Sequence, residues 1–287
     1  MASHPPHLRL KAYAKINLGL RVTGRRGDGF HDICTVFHRV DLFDEITLES
    51  ADSIAVHATD PEVPSDERNI CHAAARLVAG ALGAREGVRI DITKRIPAGG
   101  GLGGGSADAA AVLGALPSFW GGALSGADLL RLALALGSDV PYFLGRGSAL
   151  GTGRGEILEY FTLDVPFAIL LCTPPVHVST QWAYAQVTPR PGEGEDLRAA
   201  LMRGMADPEF LRSHVVNDFE APVMREHPVI GAVRDAMTEE GALFASMSGS
   251  GSSVFGFFPD AASAERAART PALQNLRTSI TPPHFRP

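Results

Sequence analysis

The sequence predicts an α+β fold in two domains, and three observations carry that expectation. Leu8 to Leu20 is apolar at every second position, segments of two-residue and of helical period then interleave along the chain, and 287 residues suit two hydrophobic cores better than one or three.

Taken in order, Leu8, Leu10, Ala12, Ala14, Ile16, Leu18 and Leu20 form one face of a long half-buried strand, with Arg9, Lys11, Tyr13, Lys15, Asn17 and Gly19 on the other. Arg25-Arg26-Gly27-Asp28-Gly29 reads as a turn, and a returning strand passes through Val36, Phe37 and Val40. Asn69 to Leu82 carries a helical stripe (Ile70, Ala73, Ala74, Leu77, Val78, Ala81) that Gly83 is placed to end. Val88 to Thr93 alternates again, Ala107 to Leu116 is predicted helical by its alanines, and a further helix over Gly126 to Leu136 stops at Gly137. Gly145 to Gly155, with five glycines, reads as a loop beside a domain boundary near residue 160. Beyond it come a buried strand at Phe167 to Cys172, helices at Leu197 to Met205 and Val229 to Thr238, and two strands flanking Ser248 to Ser252. A helix near Ala261 to Arg269 and a strand near Leu276 to Ile280 complete a second α+β layer sandwich.

Composition excludes several classes of function. With 45% apolar and 20% charged residues the chain has ample surface to bury and no signature of disorder. A net charge of −6, and no basic run longer than Arg25-Arg26 or Lys94-Arg95, argue against nucleic acid as the partner. Cys34, Cys71 and Cys172 are odd in number and lack metal-ligand spacing, as expected of a chain in a reducing cytoplasm. Met1 to Leu10 lacks the apolar stretch of a signal peptide, and the longest apolar runs fall far short of a membrane span.

Between the alternating strand and the alanine-rich helix stands Pro97-Ala98-Gly99-Gly100-Gly101-Leu102-Gly103-Gly104-Gly105-Ser106, with six glycines in the seven positions from 99 to 105. Without Cβ atoms the backbone N–H groups can turn toward an anion, and the helix that follows adds the free N–H groups and partial positive charge of its first turn. Phosphate is the expected guest; the alternative is a tightly packed turn without a ligand. Two common phosphate motifs overlap the run and fail. Gly105 stands where G-x-x-x-x-G-K-[ST] needs its lysine. Gly99, Gly101 and Gly104 fit G-x-G-x-x-G, but the preceding strand carries Arg89, Asp91 and Thr93 where a parallel dinucleotide-binding strand would be apolar on both faces.

Pro97 to Ser106 resembles the phosphate loop of the GHMP small-molecule kinases, Pro-x-x-x-Gly-Leu-Gly-[Gly/Ser]-[Gly/Ser]-[Ser/Ala] running into a helix. Ala14-Lys15-Ile16-Asn17-Leu18 near the start and Met247 to Ser253 near the end resemble the family in the right order. Gly27-Asp28-Gly29-Phe30-His31, Gly137 to Phe143 and Val216-Asn217-Asp218-Phe219-Glu220 are similar to the branch that phosphorylates the 2-hydroxyl of a cytidine-diphosphate-linked methylerythritol in non-mevalonate isoprenoid synthesis. One departure is Phe30, where the branch pattern has tyrosine; an aromatic face is kept and a phenolic hydroxyl lost.

The resemblance implies a two-domain GHMP kinase fold, with a ribosomal-protein-S5-domain-2-like domain over 1–160 and a ferredoxin-like layer sandwich over 161–287. It implies ATP, with Mg²⁺ carried by it, held by Pro97, Gly99, Gly100, Gly101, Leu102, Gly103, Gly104, Gly105 and Ser106, and Ser106 or Asp108 beside the metal or phosphates. Asp139 would be the general base and Lys15 the activating cation. Phe30, His31 and Tyr184 would hold cytosine, Asn17 and Thr180 the methylerythritol or diphosphate portion, and the loop at Gly249 to Gly251 would close over the acceptor. Residue chemistry alone leaves alternatives open: a surface lysine at 15, a helix N-cap at Asp139, a turn histidine at 31, a plain strand-to-strand turn at 249–251. Another GHMP kinase, such as a homoserine or mevalonate kinase, and a non-catalytic nucleotide-binding module are the competing functions.

Overall fold

The computed structural model describes residues 7–190, 192 and 196–287; residues 1–6 of the opening segment lie outside it. Ten strands and ten helices are found among the described residues. The chain packs as two compact units, one made of the chain up to Ala14 with Phe43–Ala98 and Gly103–Arg146, the other of Lys15–Leu42, Gly99–Leu102 and Gly147–Pro287. Strands β1 (His7–Arg25) and β2 (His31–Ala51) are long enough to contribute one end to each.

In the first unit the far end of β2 pairs antiparallel with β4 (Gly87–Thr93), and β3 (Ala55–Ala58) adds parallel to β4. Alternation puts Ile46, Leu48, Val56, Ile90 and Ile92 on one buried face, which shares a core with α1 (Ile70–Leu82) and α2 (Gly104–Phe119). The expected ends of α1 are observed: the Asn69 side chain accepts the Cys71 N–H at 2.8 Å, and Gly83 closes the helix at φ 67°, where a side chain would be strained. Buried alanines 74, 75, 107, 109 and 110 supply the small side chains of that core. Helices α3 (Gly126–Leu136) and α4 (Val140–Leu144) complete the unit.

In the second unit the near end of β2 pairs with β5 (Ser148–Thr152), which pairs with β6 (Ile157–Phe161), all antiparallel. The expected loop over 145–155 is therefore corrected. Residues 148–152 are a strand with Gly151 opposite Thr35, and the glycine there reflects close packing, since a Cβ would stand 2.6 Å from the Phe37 ring. A separate four-stranded antiparallel sheet runs β10 (Arg277–Thr281), β7 (Ala168–Thr173), β9 (Val254–Phe258), β8 (Phe244–Met247). Every residue of β7 and β9 is buried, which explains unbroken apolar runs where one-sided burial would give alternation. The helices of this unit are α5 (Thr180–Gln186), α6 (Leu197–Gly204), α7 (Pro208–His214), α8 (Glu220–Glu226), α9 (Pro228–Glu239) and α10 (Ala261–Ala268). Ile230, Val233 and Met237 of α9 share the core with Leu170 and Phe258.

His38 of β2 is buried, with Nδ1 2.8 Å from Ser148 Oγ, and burial lowers its pKa from 6.5 to about 4. Folding therefore holds the imidazole neutral. Above pH 6.5 both states are neutral and nothing is lost; between 6.5 and 4 the unfolded chain takes up a proton the folded one refuses, so stability falls. At ~1.4 kcal/mol per unit the loss is about 3 kcal/mol. Urea denaturation of wild type and His38→Gln at pH 7 and 4.5 tests it: the wild type should lose more stability on acidification than the variant, and equal losses would refute the assignment.

Candidate active site

The second unit brings β1, the middle of the glycine run and the loop between β8 and β9 to one place. Lys15 is 4% exposed, although its strand position is also compatible with a surface lysine. Its ammonium donates to Asn17 Oδ1 at 2.7 Å and to the Gly101 carbonyl at 2.9 Å, and its own N–H donates to Leu102 O at 3.0 Å. Asn17 is fixed in turn by donating to Thr35 Oγ1 at 2.9 Å, and Ser248 Oγ donates to the same Gly101 carbonyl at 2.9 Å. The approach is backbone to backbone. A Cβ on Gly101 would stand 2.2 Å from Ser248 O, and one on Gly249 would stand 2.9 Å from Asn17 Oδ1. Gly99, Gly101 and Gly103 have positive φ while Gly100 and Leu102 do not, the kind of alternation from which anion-binding backbone nests are built.

The Val216-Asn217-Asp218-Phe219-Glu220 segment anchors that loop. Asn217 Nδ2 donates to Met247 O and Gly249 O, each at 2.8 Å, and Glu220 Oε1 accepts from Ser246 Oγ and Met247 N, each at 2.7 Å. Asp218 Oδ2 accepts from Val22 N at 2.8 Å.

An aromatic corner lies in the same unit. Phe30 follows the turn, is 52% exposed, and has the Arg154 guanidinium 4.8 Å from its ring centroid. The His31 ring stacks on Tyr184 at 4.9 Å and 20°, and Tyr184 meets Phe219 edge-on at 4.9 Å. His31 Nε2 is buried and has no hydrogen-bond partner among the described residues. Thr180 Oγ1 lies 3.0 Å from Ser250 Oγ.

In the first unit α2 begins inside the glycine run, at Gly104, three residues before the expected start at Ala107. Gly103, its N-cap, offers no side-chain acceptor, so the first N–H groups of the helix are not capped from within the motif. Asp139 occupies the N-cap position of α4, half-buried, but makes no capping hydrogen bond to it. Below the start of α2 the Lys94 ammonium sits between the carboxylates of Asp44 and Asp108. Burial pushes the Asp108 carboxyl up to about 7, against the pull of Lys94. Burial also opposes the charge on Lys94, but the two carboxylates outweigh it and its pKa is raised.

The GHMP kinases N terminal domain family matches residues 69–147, and the GHMP kinases C terminal family matches residues 196–272. A 4-diphosphocytidyl-2-C-methyl-D-erythritol kinase of Chlorobium limicola is 44% identical over 96% of this chain and 97% of its own. The kinase of the same name from Chlorobaculum parvum is 40% identical over 98% and 99%. This chain belongs to the 4-diphosphocytidyl-2-C-methyl-D-erythritol kinase family, within the GHMP kinases. A crystal structure of a 4-(cytidine 5'-diphospho)-2C-methyl-D-erythritol kinase superposes with a TM-score of 0.80 at 36% identity, covering 96% of this chain and 98% of that one. A homoserine kinase from Cytophaga hutchinsonii, at 23% identity and a TM-score of 0.73 over 100% and 97%, shares the fold. The two-domain GHMP kinase fold expected from the sequence is thus found.

Of the residues singled out from sequence, Lys15, Asn17, Gly99–Leu102, Phe30, His31, Thr180 and Tyr184 fall in the second unit. Pro97, Gly103, Gly104, Gly105, Ser106, Asp108 and Asp139 fall in the first. Three contributors carried no role in the sequence reading. Asp44 lies 50 residues from Lys94 and away from every motif used, Lys94 stands just before the Pro97–Ser106 motif without belonging to it, and Arg154 lies in a segment read as loop. Asn217 stood in a recognised motif, and only the structure shows its two carbonyl partners.

The run also separates two kinds of glycine. Gly101→Ala forces a Cβ against Ser248 O at φ 75° and should destabilise the fold by about 1–3 kcal/mol. Gly105→Ala, whose Cβ would meet nothing closer than Ile70 at 3.8 Å, should leave stability within about 0.5 kcal/mol or raise it. Chemical denaturation of both variants checks the contrast; equal effects would remove it.

Proposed function

We infer that this chain transfers the γ-phosphoryl group of ATP to the 2-hydroxyl of 4-(cytidine 5'-diphospho)-2-C-methyl-D-erythritol. The observation that carries the chemistry is the Lys15 ammonium, buried on the backbone of the glycine run with its donors directed at Gly101 O and Asn17. Phosphoryl transfer needs positioning and charge neutralisation more than covalent help from the protein. In this proposal Gly99 to Ser106, preceded by Pro97, cradle the phosphates, Lys15 stabilises charge on the transferred group, and Asp139 takes the proton of the acceptor hydroxyl. A half-buried carboxylate is suited to that last task.

The acceptor's cytosine is assigned to the aromatic corner. Phe30 offers a stacking face, and His31 Nε2, buried and unpartnered, offers the hydrogen bond to the base. Tyr184 supports His31 from behind by stacking on it. Asn17 and Thr180 are assigned to the methylerythritol or diphosphate portion. The domains of this proposal, 1–160 and 161–287, bracket the two matched family spans, and the reaction is placed in the cytoplasm; no helix among the described residues is long and apolar enough to cross a membrane.

Mg²⁺ enters with the nucleotide and would neutralise phosphate charge. Metals of this kind bind through substrate phosphates and one or two protein oxygens. Ser106, two residues into α2, is the candidate side chain, because the Asp108 carboxylate is buried against Lys94 at 2.7 Å.

ADP release should be measured with Mg²⁺-ATP and four acceptors: the cytidine-linked methylerythritol, mevalonate, homoserine and galactose. Turnover is expected with the first alone; turnover with another would discard the acceptor assignment and keep the kinase, and silence with all four would favour a non-catalytic nucleotide-binding module. Asp139→Asn should lower kcat by roughly 10²–10⁴ with little change in ATP affinity. A variant within threefold of wild type would sink the base assignment.

A further inference from the structure

One buried charge cluster of the first unit has no part in the chemistry above. The Lys94 side chain is 5% exposed and those of Asp44 and Asp108 are 0% and 4% exposed. The three come from different stretches of chain: Asp44 from β2, Lys94 from the segment leaving β4, and Asp108 from the second turn of α2. Lys94 Nζ donates to Asp44 Oδ2 and, at 2.7 Å, to Asp108 Oδ2. The other oxygen of Asp44 accepts the N–H groups of Arg95 at 2.5 Å and Ile96 at 2.9 Å. The two stems of the glycine run, residues 94–96 on one side and 104–108 on the other, are therefore tied to one point.

The stems also touch. A Cβ on Gly104 would stand 2.9 Å from Ile96 Cγ2 and 3.5 Å from Lys94 Nζ, so the ammonium lies against the first residue of α2. Fixing both stems shortens the stretch that must be ordered when an anion binds. Stability alone does not account for a buried ammonium held between two carboxyl groups, since well-packed apolar residues of similar volume commonly do as well or better. A fixed geometry does account for them: an ammonium hydrogen-bonded to two carboxylates sets distance and direction in a way that apolar packing does not.

We propose that Asp44, Lys94 and Asp108 are positioning residues for the phosphate loop. They set the angle at which the first turn of α2 presents its N–H donors, and so the affinity for the phosphates of ATP, without touching the nucleotide. The proposal rests on reading Gly99 to Ser106 as a phosphate site.

The test uses the full chain with Asp108→Ala and Asp108→Asn, the second keeping the shape and an oxygen acceptor for Lys94. Asp108→Ala should weaken ATP binding by calorimetry and raise KM for ATP, each on the order of tenfold, because small misplacements of positioned groups are costly. KM for the acceptor should stay within about twofold, a split that a general loss of structure would not give. Without nucleotide, hydrogen exchange over residues 104–116 should quicken about tenfold while that of α10 stays unchanged. Asp108→Asn should restore both readouts to within about threefold. Should Asp108→Ala not fold, Asp108→Thr, whose hydroxyl stops short of Lys94, carries the same expectation. Unchanged ATP affinity, or equal damage to both substrates, would overturn the proposal. A wild-type protein that bound no ATP would remove the phosphate-loop reading instead, and exchange over α2 would still decide whether the cluster braces the helix.

Discussion

A buried ammonium must be surrounded by acceptors, and much of the second unit follows from meeting that need at Lys15. The Gly101 carbonyl is one acceptor, which brings the backbone of the glycine run to β1. Asn17 is another, and it keeps its orientation because its amide donates to Thr35, whose hydroxyl donates to Gly19 O at 2.6 Å. The same Gly101 carbonyl takes a hydrogen bond from Ser248, so the β8–β9 loop is drawn in by the same atom. Three segments far apart in sequence thus converge on one carbonyl oxygen. The glycine run is bare at the point of contact, where a Cβ on Gly101 would stand 2.2 Å from Ser248 O, as close backbone approach requires.

The density of glycine in the run has two separate causes. Gly99 and Gly101 have positive φ, and a Cβ on either would strike His177 or Ser248, so these positions are closed to other residues by packing within the protein. Gly105 has space around it and no unusual φ, so packing does not require glycine there. It lies at the start of α2, where a bare backbone leaves room for an anion beside the first N–H groups. Part of the run is therefore glycine because of packing and part is not. The sequence could not apportion the two, because six glycines in seven look alike until their neighbours are known.

Where the sequence was legible, the signal was local and periodic. The alternation of β1, the stripe and caps of α1, and the apolar runs of β7 and β9 each follow from residues within one element. Elements were missed where that signal was short or masked: β3 has four residues, α5, α7 and α8 have seven each, and β5 hides behind its glycines. The candidate site divides in the same way. Lys15, the glycine run and the Phe30–His31 corner stand in recognisable motifs. Asp44 and Lys94 are 50 residues apart, and nothing in either neighbourhood announces a buried ion pair. Burial itself is what the strand pattern failed to convey at Lys15, because β1 is covered on both faces over 14–20.

The β8–β9 loop shows why a motif remote from the chemistry has to accompany it. Ser248-Gly249-Ser250-Gly251-Ser252 has little side chain with which to hold its own shape, and glycine gives it a large conformational entropy to lose. Its order has to be imposed from outside. Asn217 does this with a single amide that donates to two carbonyls of the loop's entry, and Glu220 adds two more bonds one turn further on. An aspartate at 217 would set a carboxylate against two carbonyl oxygens, so only a donor serves there. At Glu220 the partners are a hydroxyl and an N–H, so only an acceptor serves. The segment 216–220 and the loop 248–252 are in this sense one structural device written in two places. The polarity of the amide at 217 and the carboxylate at 220 is set by the backbone groups they hold.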